Sequence, residues 1–503
     1  MFHSIIMKLC SMKARVSSQH PYERQPFHSA LIIQLVYFVS LSCTGFMALK
    51  VAKPKHGLLN GPNNLDLLFI SASASTVSSM GTIEMEDFSD SQLWVLTILM
   101  LFGGEVFTSM LGLQIMKAKN KRKEVIPETR APISNEPECP ISELNSVGDI
   151  LPIDEELMKS NAIRSLSTIV LSYLATVITM GSVLVLLYIR LVPSAKDVLK
   201  RKHIKLATFS VFMTISSFTN CGFLPTNENM IPFKEDSFLQ LLVVIIVLAG
   251  NTLFPSCLIL LIWVLNKLTK GTVYSYMLHN PGSIGYQHLF TREDSIYLFY
   301  TVFVFIVVQI AAFCSLEWNS EALQKLNPFQ KLIGALFQSV NTRHAGESII
   351  DMSTVAPAVL VLYIVMMYLP PYTRFLPSKE VDNDTKGKGR SSFTRDAIIS
   401  KLSILAVFVI IICITERKAM VEDPLNFNVL NIVFEVISAY GNVGFSIGYS
   451  CKRLLNPDSS CKDAWYGFVG RWSRQGKLTL MLVMFFGRLK TSIPEGGKFW
   501  KLL

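Results

Sequence analysis

The sequence predicts an all-α polytopic membrane protein built from four span–short helix–span repeats, that is, eight transmembrane helices and four re-entrant helices around a shared axis. Three observations carry this reading. Half of the 503 residues are hydrophobic and only 17% are charged, whereas soluble domains run near one quarter charged. Mean hydropathy is +0.40. The apolar residues also come in long blocks rather than in amphipathic stripes, and runs of roughly 18 or more are long enough to cross a bilayer.

Taken in chain order, the long blocks are Ile32 to Leu49, Trp94 to Met116, Ile169 to Ile189, Leu239 to Leu265 and Ile296 to Phe313. A shorter one runs from Leu402 to Ile414. Between them lie four short segments: Leu65 to Ser78, Leu206 to Phe218, Phe329 to Val340 and Val429 to Tyr440. Their length suits a helix that enters the membrane and stops. Each follows a breaker, helix-start or basic cluster and ends in polar residues with a glycine: SSMGT, TNCGF, RHAGE and GNVGF. The repeats are placed at 27–118, 161–267, 291–370 and 396–490. An N-terminal arm (1–26), connecting segments (119–160, 268–290, 371–395) and a tail (491–503) complete the chain.

The net charge of +10 is explained by basic cytosolic loops, and no nucleic-acid-binding motif accompanies it. Lys117, Lys119, Lys121, Arg122 and Lys123 mark one such loop, which places both termini in the cytosol. Lys196, Lys200, Arg201, Lys202 and Lys205 argue the other way, since they fall on the extracellular side. The sequon Asn383-Asp384-Thr385 falls in a cytosolic connection. Residues 1–26 lack the pattern of a cleaved signal peptide. There is no CxxC pair and no cofactor motif. Cys451 and Cys461, close in sequence and outside the apolar runs, are candidates for one extracellular disulfide. Paired acids, HExxH or a nucleophile with its base are absent from the apolar runs, which argues against an enzyme.

A short helix that stops inside a membrane needs a watery cavity for its irregular backbone. Four copies around one axis bring four such stretches together. Glycine there lets carbonyl oxygens turn inward and leaves no Cβ in the hole, and rings of carbonyls replacing a hydration shell select cations. Gly81, Gly222, Gly346 and Gly444 are the candidate ring. Ser79, Asn220 and Asn442 stand two residues before their glycines and are candidate supports for its backbone. Glu84, Glu86, Asp87 and Glu347 are expected at an outer mouth, where they would concentrate cations. Arg488, 11 residues past Lys477, is expected near mid-membrane, where a charge is expensive and usually functional. Glu105 is a second intramembrane charge with no evident partner.

These residues resemble a known family. VSSMGTIEME (77–86), NCGFLPTN (220–227), VNTRHAGE (340–347), SAYGNVGFSIGYSC (438–451), GFVGRW and FFGRLK are similar to the plant high-affinity potassium transporter family (HKT), related to the bacterial and fungal Trk and Ktr transporters. The resemblance implies a plasma-membrane homodimer among lipid, with a K+ and Na+ path in each subunit and no cofactor. It also implies that Arg488 is an electrostatic barrier beneath the ring. Members with serine at the first ring position are largely sodium-selective, and those with four glycines also admit potassium. With Gly81 at that position the expectation is an all-glycine member that moves both ions, by co-transport or channel-like uniport. A sodium-selective uniporter is the alternative.

Overall fold

The computed structural model describes residues 25–52, 55, 62–125, 153–373, 390–454, 461, 463 and 467–490. The N-terminal arm, the tail, most of the 119–160 and 371–395 connections, and the sequon lie outside them.

The first repeat comprises α1 (Gln25–Val51), the short α2 (Asn64–Ser75), and α3 (Asp90–Gly103) running into α4 (Glu105–Val125). The second comprises α5 (Ile153–Leu191), a connecting α6 (Pro193–Arg201), the short α7 (Leu206–Thr219), and α8 (Ser237–Gly250) followed by α9 (Phe254–Thr269). Two small helices, α10 (Thr272–His279) and α11 (Pro281–Ile284), lead to the third repeat: α12 (Arg292–Glu317), α13 (Pro328–Asn341) and α14 (Pro357–Tyr368). The fourth comprises α15 (Arg390–Thr415), α16 (Arg417–Glu422), α17 (Val429–Gly441) and α18 (Arg474–Lys490). The order is therefore span, short helix, span, four times over, and the fold class is the one the apolar blocks predict.

Three described helices are by themselves long and apolar enough to cross a membrane: α1, α5 and α12. Two further spans are broken. α3 and α4 meet at 57°, and α8 and α9 at 82°. The sequence shows Trp94 to Met116 and Leu239 to Leu265 as single runs, so neither break was expected. Their cause is local. At the first, a Cβ on Gly103 would overlap the Ser75 carbonyl that ends α2, and Gly104 takes an extended conformation. At the second, Asn251 leaves the helical region and Thr252 and Leu253 turn the chain. α14 stops early, where Pro370 and Pro371 follow.

α5 starts at Ile153 rather than near 161, because Asp154 to Lys159 continue the helix. Its 39 residues span about 58 Å at 1.5 Å per residue, well beyond a hydrocarbon core of about 30 Å, so it projects from the membrane. Two cores result. One surrounds the short helices, with Phe209, Phe337, Phe434 and Phe445 fully buried. A second lies past the breaks, where Val106, Leu113, Leu166, Phe254, Ile262 and Met277 pack together.

Candidate functional site

The four short helices end at one narrow cavity of about 90 Å³, lined by Ser79, Gly81, Gly222, Gly346, Gly444 and residues just beyond them. How each chain leaves its helix sets the register. α7 is capped by Asn220 in the left-handed region (φ 57°), and α17 by Asn442 (φ 53°). Two residues on stand Gly222 (φ 84°) and Gly444 (φ 97°). After α2 the left-handed cap is Val77 (φ 52°), and two residues on stands Ser79 (φ 51°). The backbone bonds agree: Ser78 N–H to Ser73 O (2.8 Å), Cys221 N–H to Ser216 O (2.9 Å) and Val443 N–H to Ser438 O (3.1 Å) are one interaction in three repeats. The third repeat reaches the same place through a turn at 342–345, with Gly346 N–H bonded to Asn341 O at 3.1 Å and φ 63°.

The residue equivalent to the three glycines is therefore Ser79, and Gly81 lies two positions further along the lining. This corrects the expected ring, and with it Ser79's expected role as a support. The sequence misleads because glycine is the default wherever φ is positive, so the nearest glycine looks like the ring residue. Here a serine occupies that conformation. Contacts link the second, third, fourth and first repeats in turn. A Cβ on Gly222 would overlap the Ala345 carbonyl, one on Gly346 would press on the Gly444 backbone, and one on Gly444 would meet the Ser79 side chain. The C-terminal ends of four helices, each the negative pole of its dipole, converge here.

Asn442 is a support: its Nδ2 donates to Ser78 Oγ (2.7 Å) and to Met484 O (3.2 Å). The Asn220 side-chain amide has no partner among the described residues, and this residue provides the left-handed cap itself. Residues the sequence reading missed do similar work. Ser438 Oγ accepts the Gly444 N–H at 3.1 Å, and Thr76 Oγ1 meets Ser78 Oγ at 2.8 Å. Short hydroxyl side chains give no sequence signal that separates these bonds from helix packing.

Glu347 is not at an outer mouth. It is fully buried behind the ring, where its Oε1 accepts from Ser217 Oγ at 2.7 Å and its N–H donates to Asn341 Oδ1 at 3.4 Å. Glu84 and Glu86 join a network across the first two repeats, with Asp87 beside them. Glu84 accepts from Asn227 Nδ2 at 2.8 Å and Glu86 from Asn227 N–H at 3.0 Å. Lys202 is bonded to both Glu86 and Glu228, and Lys205 pairs with Asp90. Of the five basic residues that argue against the expected topology, Lys202 and Lys205 thus have acidic partners. Burial works against the Lys202 ammonium, but its bonds to Glu228 and Glu86 outweigh it and hold its pKa above the usual lysine range. Burial raises the Asp87 carboxyl, and Lys55 partly opposes the rise.

Arg488 sits three turns of α18 beyond Lys477, which pairs with Asp66 at 2.8 Å. Its guanidinium is buried, donates to the Gly103 carbonyl, and lies 5.3 Å from the centre of the Phe38 ring. Nearby, Glu105 gains the partners the sequence did not reveal: Tyr372 Oη donates to it at 3.1 Å, and His288 Nε2 stands 3.9 Å away. Cys451 and Cys461 are joined as a disulfide.

Fold and site together define a multi-pass helical membrane transport protein in which four chain segments share one central constriction. The chain belongs to the TrkH cation transport protein family, whose description matches residues 155–373 and 385–494. It is 49% identical to the rice cation transporter HKT1;3 (Oryza sativa subsp. japonica), over 99% of this chain and 96% of that one. It is 47% identical to the sodium transporter HKT1 of Arabidopsis thaliana, over 90% and 92%. Identity with the rice cation transporter HKT2;4 is 41%, over 92% and 93%. The solved potassium transporter TrkH from Vibrio parahaemolyticus shares the fold, with a TM-score of 0.54 at 12% identity, covering 97% of this chain and 88% of that one. The protein is a transporter and not an enzyme.

Proposed function

We propose that the protein passes monovalent cations through the constriction down their electrochemical gradient, with Na+ preferred over K+. The observation that carries this reading is Ser79 in the ring position that glycine fills in the other three repeats. A hydroxymethyl group there narrows the opening and adds a dipole, which penalises the larger ion more. The resemblance to serine-bearing family members points the same way, and so does the name of the Arabidopsis relative, a sodium transporter. The all-glycine expectation, with Na+/K+ co-transport, falls back to second place with Gly81 out of register. In this reading Arg488 is an electrostatic barrier below the ring. The outer acids gather cations, and the protein acts as a homodimer in the plasma membrane with both termini cytosolic.

The experiment is voltage-clamp recording in oocytes while external Na+ is exchanged for K+. The wild-type reversal potential should follow Na+ and stay nearly indifferent to K+. Ser79→Gly should make it follow K+ as well. A wild-type reversal potential that tracks both ions equally would overturn the sodium reading.

A further inference from the structure

Glu435 is an acidic residue inside the apolar helix α17, in the run VLNIVFEVISAYG. It is fully buried. A carboxylate in such a place is costly unless its bonds are used, and two of them are. Glu435 Oε1 accepts from Ser446 Oγ at 2.6 Å and from the Ile447 N–H at 3.0 Å. Ser446 Oγ in turn accepts the Gly448 N–H (3.2 Å) and the Phe468 N–H (2.9 Å). A hydroxyl offers one donor and two acceptor sites, so this one is fully engaged, and its single proton is directed at Glu435. Ser446, Ile447 and Gly448 line the outer side of the constriction directly after Gly444.

We infer that Glu435 is a positioning residue for ion selection: through Ser446 and Ile447 it fixes the fourth repeat's stretch of the constriction, and it thereby sets how well the opening discriminates Na+ from K+. The inference rests on the reading of the ring as the selecting element. The same stretch is held one residue pair earlier by Ser438 on Gly444 and earlier still by Asn442 on Ser78 and Met484. Glu435 extends that pinning beyond the ring. Discrimination between two ions of equal charge depends on opening size and on how freely the carbonyls move. A clamp on the backbone at 446–448 restrains both.

The test compares Glu435→Ala, Ser446→Ala and Glu435→Gln in full-length protein in oocytes. The readouts are the K+/Na+ permeability ratio from reversal potentials and the surface amount by biotinylation. Either alanine variant should raise the permeability ratio by about threefold or more, within what losing a hydrogen bond to a charged group produces. Glu435→Gln keeps a carbonyl acceptor at the same place and should restore the preference lost in Glu435→Ala. A purely structural role would lower the surface amount without moving the ratio. Wild-type ratios in Ser446→Ala and Glu435→Ala at the surface would overturn the inference. An unselective wild type would instead sink the sodium reading, leaving the change of ratio between variants as the measure of the clamp.

Discussion

At the scale of single residues, the ring is defined by what it has no room for. The Cβ position of Gly222 falls on the Ala345 carbonyl, and its φ of 84° is one that side chains rarely adopt. Gly222→Ala should therefore abolish cation current while surface biotinylation still detects the protein, because the carbonyl it displaces is joined directly to Gly346 of the constriction. Ser79 is the exception that shows the rule's limit. A serine held at φ 51° bears a backbone cost of about 1–2 kcal/mol, which the surrounding bonds of Thr76, Ser78 and Asn442 offset. Sequence alone points to Gly81, since nothing in SSMGT reveals which of three small residues will be left-handed. Glu347 was misplaced for a related reason. Adjacency to a ring glycine says nothing about whether a side chain faces water or the protein behind it.

At the scale of elements, the long apolar blocks and the four short segments were all legible, because length and composition alone separate a span from a helix that stops midway. The interruptions were not. A glycine in the middle of an apolar run reads as packing, and its consequence depends on a neighbour that only the fold supplies. Gly103, Gly250 and Gly487 each face a last-turn carbonyl of a short helix: Ser75, Phe218 and Tyr440 respectively. In three repeats the second span thus touches backbone to backbone at the end of the helix that delivers the ring. Gly250→Val should push α8 off α7. Its cost is that of overpacking, about 1–3 kcal/mol, read as a lower midpoint in a thermal size-exclusion assay together with reduced current. An unchanged midpoint would mean that the contact is looser than its geometry.

At the scale of the whole molecule, charge is distributed by depth. Lys202, Glu86, Glu228 and Asn227 tie the first two repeats together beyond the constriction, Lys477 and Asp66 join the last repeat to the first, and Arg488 stands three turns further along α18, held to the Gly103 carbonyl at the break in the first repeat. If Arg488 is a barrier, Arg488→Gln should enlarge macroscopic current at equal surface amount while leaving the Na+/K+ permeability ratio as it was, since the ring lies elsewhere. Current that stays the same or falls would assign Arg488 to holding α18 against α3.

The breaks at Gly103–Gly104 and Asn251–Leu253 also bear on how such a chain can diverge. They lie between the core around the short helices and a core built mainly from α4, α5, α9 and α10, which Phe218 of α7 joins. Substitutions in the core past the breaks should alter the proposed current more than its ion preference, whereas those around the short helices meet four interlocked repeats at once. On the proposed reading of the ring, lineages would then drift in capacity more readily than in preference, with Ser79 a single-step route to a new one.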